Sequence, residues 1–345
     1  MFGLTGQLAR RSLRNEMRAK MKWGNVRIAV IGSGGVGGYF GARLASGGAD
    51  VVFLARGAHL AALRSQGITV VGGPEPLHVG SVQATDDPSS MGVADLVLIA
   101  VKLWDTDAIL ERIRPVVGSK TAIISFQNGV LKDTCLRAHY DAARIMGGVG
   151  YVATTIDRPG VIRQIGPMQR LIFGEFDGRI SARGQAFLKA CLDGGINAEL
   201  SSDINREIWQ KFVFLVGLSG TTTTMRVPIG PIRGNGQTRE FLLDVMKEVV
   251  AVGRAHGVDL PEDYAEIRLA LADEVSPDMT SSMHHDLQRG NPLEVRWLSG
   301  GVVELGARVG VPTPLNGAIA DILALHAAGA KATAAAGPKI SDATE

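Results

Sequence analysis

Lys211 borders a nine-residue uncharged run, Phe212 to Gly220, within the stretch "NREIWQKFVFLVGLSGTTTT" at 205–224. Burying an ammonium without partners is strongly unfavourable. Such a lysine either lays its stem on apolar surface with its charge in water, or is held for chemistry. Held in a cleft, an ammonium can stabilise an oxyanion and donate a proton. A second group of residues, Gly32-Ser33-Gly34-Gly35-Val36-Gly37, fits the spacing GxGxxG. After a strand and before a helix, such glycines let backbone N–H groups approach a pyrophosphate; the competing reading is a tight turn without a ligand. Arg56 ends the following strand-like run, and no acid occurs between Val51 and Glu75. A carboxylate there would bond the ribose hydroxyls of NAD, whereas a guanidinium can pair with a 2′-phosphate. The residues therefore indicate NADP(H), with Arg56 as anchor or, alternatively, as a solvated surface arginine. Lys102 and Gln127-Asn128-Gly129 end two later strand-like runs, where a cation and an amide can hold a ribose and an anionic substrate.

These residues need a frame that brings them together. "VRIAVI" (26–31), "DVVFLA" (50–55), "DLVLIAVK" (95–102) and "TAIISF" (121–126) read as strands buried on both faces. Strand, glycine-bounded helix and strand within about thirty residues form a βαβ unit. Its repetition predicts an α/β fold: an N-terminal Rossmann-type, doubly wound sheet domain, followed by an all-α C-terminal domain. Residues 148–176 read as hairpins extending the sheet. Beyond "SSDINRE" strands disappear, and helical spacing marks 204–224, 237–256, 261–275, 293–309 and 314–330. "TTTTMRVPIGPIRG" reads as a helix end and turn. The helices from 237 onward read as packing surfaces against the helix of Lys211, with a homodimer contact as their second use.

The expected division is a basic extension at 1–24, a cofactor domain at 25–203, a helical catalytic domain at 204–330 and a disordered tail at 331–345. Residues 1–22 carry six Lys/Arg against Glu16, so the remainder of the +2 chain is mildly acidic. That balance argues against nucleic acid as a partner. The extension is Arg-rich like a transit peptide; the plainer reading starts the functional protein at Met21. Cys135 and Cys191 are far apart without a CxxC, which indicates buried thiols in a reducing, cytoplasmic compartment. No apolar run reaches membrane-spanning length. His284-His285-Asp286 lacks a partner cluster, so the three residues read as mostly solvated, with one of them at the cleft, and no metal is expected.

The stretches "IAVIGSGGVGGYFGARLASGGADVVFLARGAHL", "VKLWD", "QNGV", "IWQKFVFLVGLSGTTTTMRVPIG" and "SSMHHDLQRGNPLEVRWLSGGVVELG" occur in that order between about 27 and 315. Together they resemble the ketopantoate reductase (2-dehydropantoate 2-reductase) family. The resemblance implies a pyrophosphate on Gly32, Gly34 and Gly37, and the 2′-phosphate on Arg56. Lys102 and Asn128 would lie by the nicotinamide ribose and substrate. Lys211 would be the catalytic lysine, Ser282 a contact to the substrate carboxylate, and Glu294 an active-site acid. Leu215 and Ser219 stand where well-known members carry asparagines in K-x-x-x-N-x-x-x-N, and Asp105 where glutamine is common. Two polar contacts are thus missing or replaced, with Ser219 as a substrate-binding candidate in place of the second. The implied activity is NADPH-dependent reduction of 2-dehydropantoate to (R)-pantoate, on the way to coenzyme A. Reduction of a different 2-oxo acid and cofactor binding without catalysis are the alternatives.

Overall fold

The computed structural model describes residues 26–330. The expected basic extension and the tail from 331 lie outside them. The apolar runs form parallel strands, since a segment buried on both faces cannot alternate polar and apolar residues. In chain order the first part comprises β1 (Arg27–Ile31), α1 (Gly35–Ser46), β2 (Asp50–Leu54), α2 (Gly57–Gln66), β3 (Ile68–Val71), β4 (Leu77–Val79) and β5 (Gln83–Thr85). It continues with β6 (Ala94–Ile99), α3 (Thr106–Arg112), β7 (Val117–Ser125), α4 (Leu131–His139), β8 (Ile145–Arg158), β9 (Val161–Glu175), α5 (Ala182–Asp193) and β10 (Ala198–Leu200).

The ten strands make one sheet, ordered β4-β3-β9-β8-β7-β6-β1-β2-β5, with β10 also paired to β9. From β1 the chain winds one way to β2 and β5 and the other way to β6, β7 and β8. That reversal makes β1 a topological switch point, where open α/β sheets place ligands. The segment expected as hairpins is one long antiparallel pair, β8 and β9, inside the sheet rather than at its margin. Parallel register aligns Ile31 with Leu54 on one side and with Ile99 on the other, and Ile99 with Ser125. Gly32, Arg56, Lys102 and Asn128 therefore all emerge within three residues of one line across the sheet edge. Apolar cores cover both faces, with Phe40, Phe53, Phe173 and Phe187 on one and Met91, Leu110 and Leu136 on the other.

The second part is helical: α6 (Ile204–Met225), α7 (Ile229–Gly234), α8 (Gly236–Ala255), α9 (Tyr264–Glu274), α10 (Ser282–Gln288), α11 (Ser299–Val309) and α12 (Pro314–Leu323). α6 starts on Asp203, whose carboxylate caps the Arg206 amide, and stops where Arg226 turns left-handed at φ 57. The buried Thr221 and Thr222 and the partly buried Thr224 satisfy their hydroxyls by bonding the carbonyls four residues back. Trp209, Phe212 and Val216 pack against Leu242, Val245 and Met246 of α8. Each such side chain contributes roughly 1.5–3 kcal/mol on burial. The helices from 237 onward are thus packing partners of α6, as expected.

Three details differ from the sequence expectation. α7 forms where a turn was expected, because Pro231 falls in its first turn, where no N–H partner is needed. Residues 293–309 split into a short 3-10 turn at Glu294–Arg296 and then α11. The last helix stops at Leu323 and continues only as a 3-10 turn to His326.

Candidate active site

The loop after β1 is shaped by its glycines. Gly32 has φ +95, and a Cβ on Gly37 would lie 2.1 Å from the Gly32 carbonyl oxygen. A Cβ on Gly35 would lie 2.7 Å from the Thr154 carbonyl oxygen of β8, while the space beside Gly34 is open. Ser33 is buried and its Oγ donates to the Leu54 carbonyl at 3.3 Å, tying the loop to β2. Val36 packs against the core beneath α1. α1 has no side-chain cap and no acid in its first turn, so its leading amides are left for an outside acceptor. Arg56 stands exposed at the start of α2, in no ion pair among the described residues. Open space at Gly34, uncapped amides and a free guanidinium fit a dinucleotide with an extra phosphate.

Lys211 projects from α6 onto the sheet. Its Nζ donates to Asn128 Oδ1 at 2.9 Å and to the Gly150 carbonyl at 2.7 Å, and lies 5.6 Å from the centre of the Tyr151 ring. Burial, with help from the neighbouring charge of Lys132, lowers its pKa to about 8, while Glu294 acts the other way. Burial likewise pushes the Tyr151 hydroxyl up to about 12, so the ring stays neutral beneath the ammonium.

The helical part reaches back to the loop after β6 through two acids. Lys102 Nζ donates to Asp286 Oδ2 at 2.6 Å, and the Leu103 amide donates to Glu294 Oε1 at 3.2 Å. Asn291 holds the other Asp286 oxygen at 3.0 Å. Glu294 is buried, and burial pushes its carboxyl above the usual range despite the pull of Lys102, the Leu103 amide and Lys211. Ser282 is exposed on the first turn of α10. Ser219 is fully buried, its hydroxyl has no partner among the described residues, and it does not line the small cavity beside Lys211. That cavity, about 10 Å³ and so the size of one water, is walled by Lys211, Lys132, Gln127, Phe212 and Leu215.

The structure thus brings Lys211, Asn128, Lys102 and Glu294 together, while Ser282 is exposed on α10 and Ser219 is sealed away. The triplet 284–286 is only in part solvated: His285 is exposed, but His284 and Asp286 are buried. α10 lies against α6, where His284 Nδ1 bonds the Thr222 carbonyl at 2.7 Å, and Asp286 takes Lys102. Cys135 is only partly buried, although Cys191 is buried as expected. The sequence reading missed Lys132, a buried lysine bonded to Asp133 at 2.9 Å beside the same cavity. Its signal was the pair "KD" in the first turn of the helix, one residue after "QNGV". It also missed Gln127 as a brace: its amide donates to the Val101 carbonyl and Thr106 Oγ1, locking two strand ends together.

A doubly wound sheet with an uncapped glycine loop, joined to a helical part that delivers a buried lysine, defines a nucleotide-dependent oxidoreductase. Residues 28–178 match the family model for ketopantoate reductase PanE/ApbA, and residues 203–327 match the model of that family's C-terminal part. The chain belongs to the ketopantoate reductase family of NAD(P)-dependent oxidoreductases. It is similar to a 2-dehydropantoate 2-reductase of Mesorhizobium japonicum, 30% identical over 85% of this chain and 95% of that one. An uncharacterized oxidoreductase of Bacillus subtilis is 29% identical over 84% of this chain and 95% of its own. The crystal structure of 2-dehydropantoate 2-reductase from Geobacter metallireducens superposes with a TM-score of 0.82 at 28% identity, covering 87% of this chain and 99% of the other. Among the described residues no helix is long and apolar enough to cross a membrane.

Proposed function

We propose that this protein reduces 2-dehydropantoate to (R)-pantoate with NADPH, residues 25–203 holding the cofactor and residues 204–330 the substrate and the proton donor. A bound NADPH supplies the hydride for the 2-oxo carbon. The observation that carries the reading is the setting of Lys211. Two of its three N–H bonds are committed to Asn128 and Gly150, which fixes the ammonium and leaves one for a substrate oxygen. A lysine with a pKa near 8 is a competent acid close to neutral pH. It stabilises the alkoxide as charge develops and then gives it a proton. Glu294 is the acid whose charge keeps Lys211 protonated and whose carboxyl meets a substrate hydroxyl. Ser282 receives the substrate carboxylate, and Lys102 and Asn128 orient the ribose end of the cofactor and the substrate beside it. Arg56 selects NADPH over NADH.

A second reading, reduction of a different 2-oxo acid, is favoured by one observation. Leu215 walls the space beside Lys211 with hydrocarbon, at the position of an amide in well-known relatives. Oxidation of NADPH and of NADH is to be followed against a panel of 2-oxo acids that includes 2-dehydropantoate. Highest kcat/KM for 2-dehydropantoate with NADPH is expected. Turnover only of another 2-oxo acid replaces the substrate, a preference for NADH removes the role of Arg56, and turnover of none leaves a binding protein.

A further inference from the structure

On the outer side of the sheet part, α3 and α4 lie side by side with two matched pairs of side chains. Asp107 and Glu111 are one turn apart on α3, and Cys135 and His139 are one turn apart on α4. Residues four apart share a helix face, so each pair looks at the other. Asp107 Oδ1 lies 3.2 Å from Cys135 Sγ and 3.1 Å from His139 Nε2, and the three atoms all lie within 4.8 Å of one another. The other ring nitrogen, Nδ1, is 2.9 Å from Glu111 Oε1, and Glu111 is itself held by Arg114.

We infer that Asp107, Cys135 and His139 form a zinc-binding site, with Glu111 as the outer partner that orients the imidazole. Zinc takes sulfur at about 2.3 Å and nitrogen or oxygen at about 2.0–2.2 Å in a tetrahedron, which puts ligand atoms roughly 3.3–3.7 Å apart. The two Asp107 spacings need only small adjustments to reach that range, and the Cys135 Sγ to His139 Nε2 spacing, within 4.8 Å, has to settle into it. A carboxylate on the far ring nitrogen is the usual companion of a zinc-bound histidine, because it fixes the tautomer and raises ligand basicity. One thiolate, one imidazole and one carboxylate suit a borderline-soft ion better than magnesium or calcium, which prefer oxygen alone. Water completes the fourth position. On binding, the Cys135 S–H bond breaks, its proton passes to solvent and an S–Zn bond forms, so affinity rises with pH. Such an ion would staple α3 to α4, the helices that follow the strand ends bearing Lys102 and Asn128.

The test is zinc titration of the full-length, tag-free, chelator-stripped chain by calorimetry at about pH 8, with cobalt as spectroscopic probe. One zinc per chain at micromolar affinity or tighter is expected, with a rise of about 5 °C in thermal midpoint at a hundredfold excess over Kd. Glu111→Gln should weaken binding tenfold to a hundredfold, as loss of an outer partner does. Cys135→Ser and His139→Ala should weaken it further. The absence of one-site binding, or unchanged binding in both ligand variants, overturns the site. If a variant fails to fold, the wild-type cobalt spectrum decides. Cys191 is fully buried, so a thiolate-to-cobalt charge-transfer band reports Cys135, and its absence refutes the proposal.

Discussion

Lys211 is positioned by an amide, a backbone carbonyl and an aromatic ring, none of them a formal counter-ion. Its replacement by alanine should lower kcat by roughly two orders of magnitude or more, the usual cost of losing a general acid; steady-state kinetics on a variant with an unchanged far-UV spectrum checks this. The sign of the pH dependence follows from the proposed role as proton donor. Only the ammonium can donate, so the rate should be level below about pH 8 and fall about tenfold per unit above it. After burial, Lys132 is the largest cause of that low value. Replacing the buried pair together, as Lys132→Met with Asp133→Asn, avoids stranding one charge. The alkaline limb should then move to higher pH, and an unmoved limb would reduce Lys132 to a packing role.

At the scale of elements, the phosphate loop separates folding from binding. A methyl at Gly37 would collide with the Gly32 carbonyl, whereas one at Gly34 meets nothing within 4 Å. Gly37→Ala should therefore lower the thermal midpoint, and Gly34→Ala should leave it nearly unchanged while weakening NADPH binding. Scanning calorimetry and a fluorescence titration distinguish the two. This loop was legible in the sequence because strand, glycine run and helix are contiguous, and each has a local cause. α7 and the break before α11 were not legible. Their boundaries depend on whether a proline falls in a first turn and on how Glu294 is drawn to the Leu103 amide.

Across the whole molecule, the sheet and helical parts meet through Lys102–Asp286 as well as through Lys211. The side chain of Lys102 is 42% exposed, so the pair contributes at most about 1 kcal/mol to stability. Asp286→Asn should thus change the thermal midpoint by about 2 °C or less while raising KM for the 2-oxo acid, as a calorimetric scan and kinetics can show. Arg56→Ala should raise KM for NADPH about tenfold to a hundredfold and leave NADH unaffected, the scale of one lost charged hydrogen bond.

The sequence by itself determined what short-range physics controls: buried parallel strands, the glycine loop, the long apolar helix and the presence of a lysine on it. It could not determine partners distant along the chain. Asn128 is 83 residues from Lys211, and Asp286 is 184 from Lys102. The burial of His284 and Asp286, the closeness of Lys132 to Lys211 and the convergence of Asp107, Cys135 and His139 were likewise decided only by tertiary structure. Charges and metal ligands act through space, and helix packing, rather than sequence spacing, sets those distances.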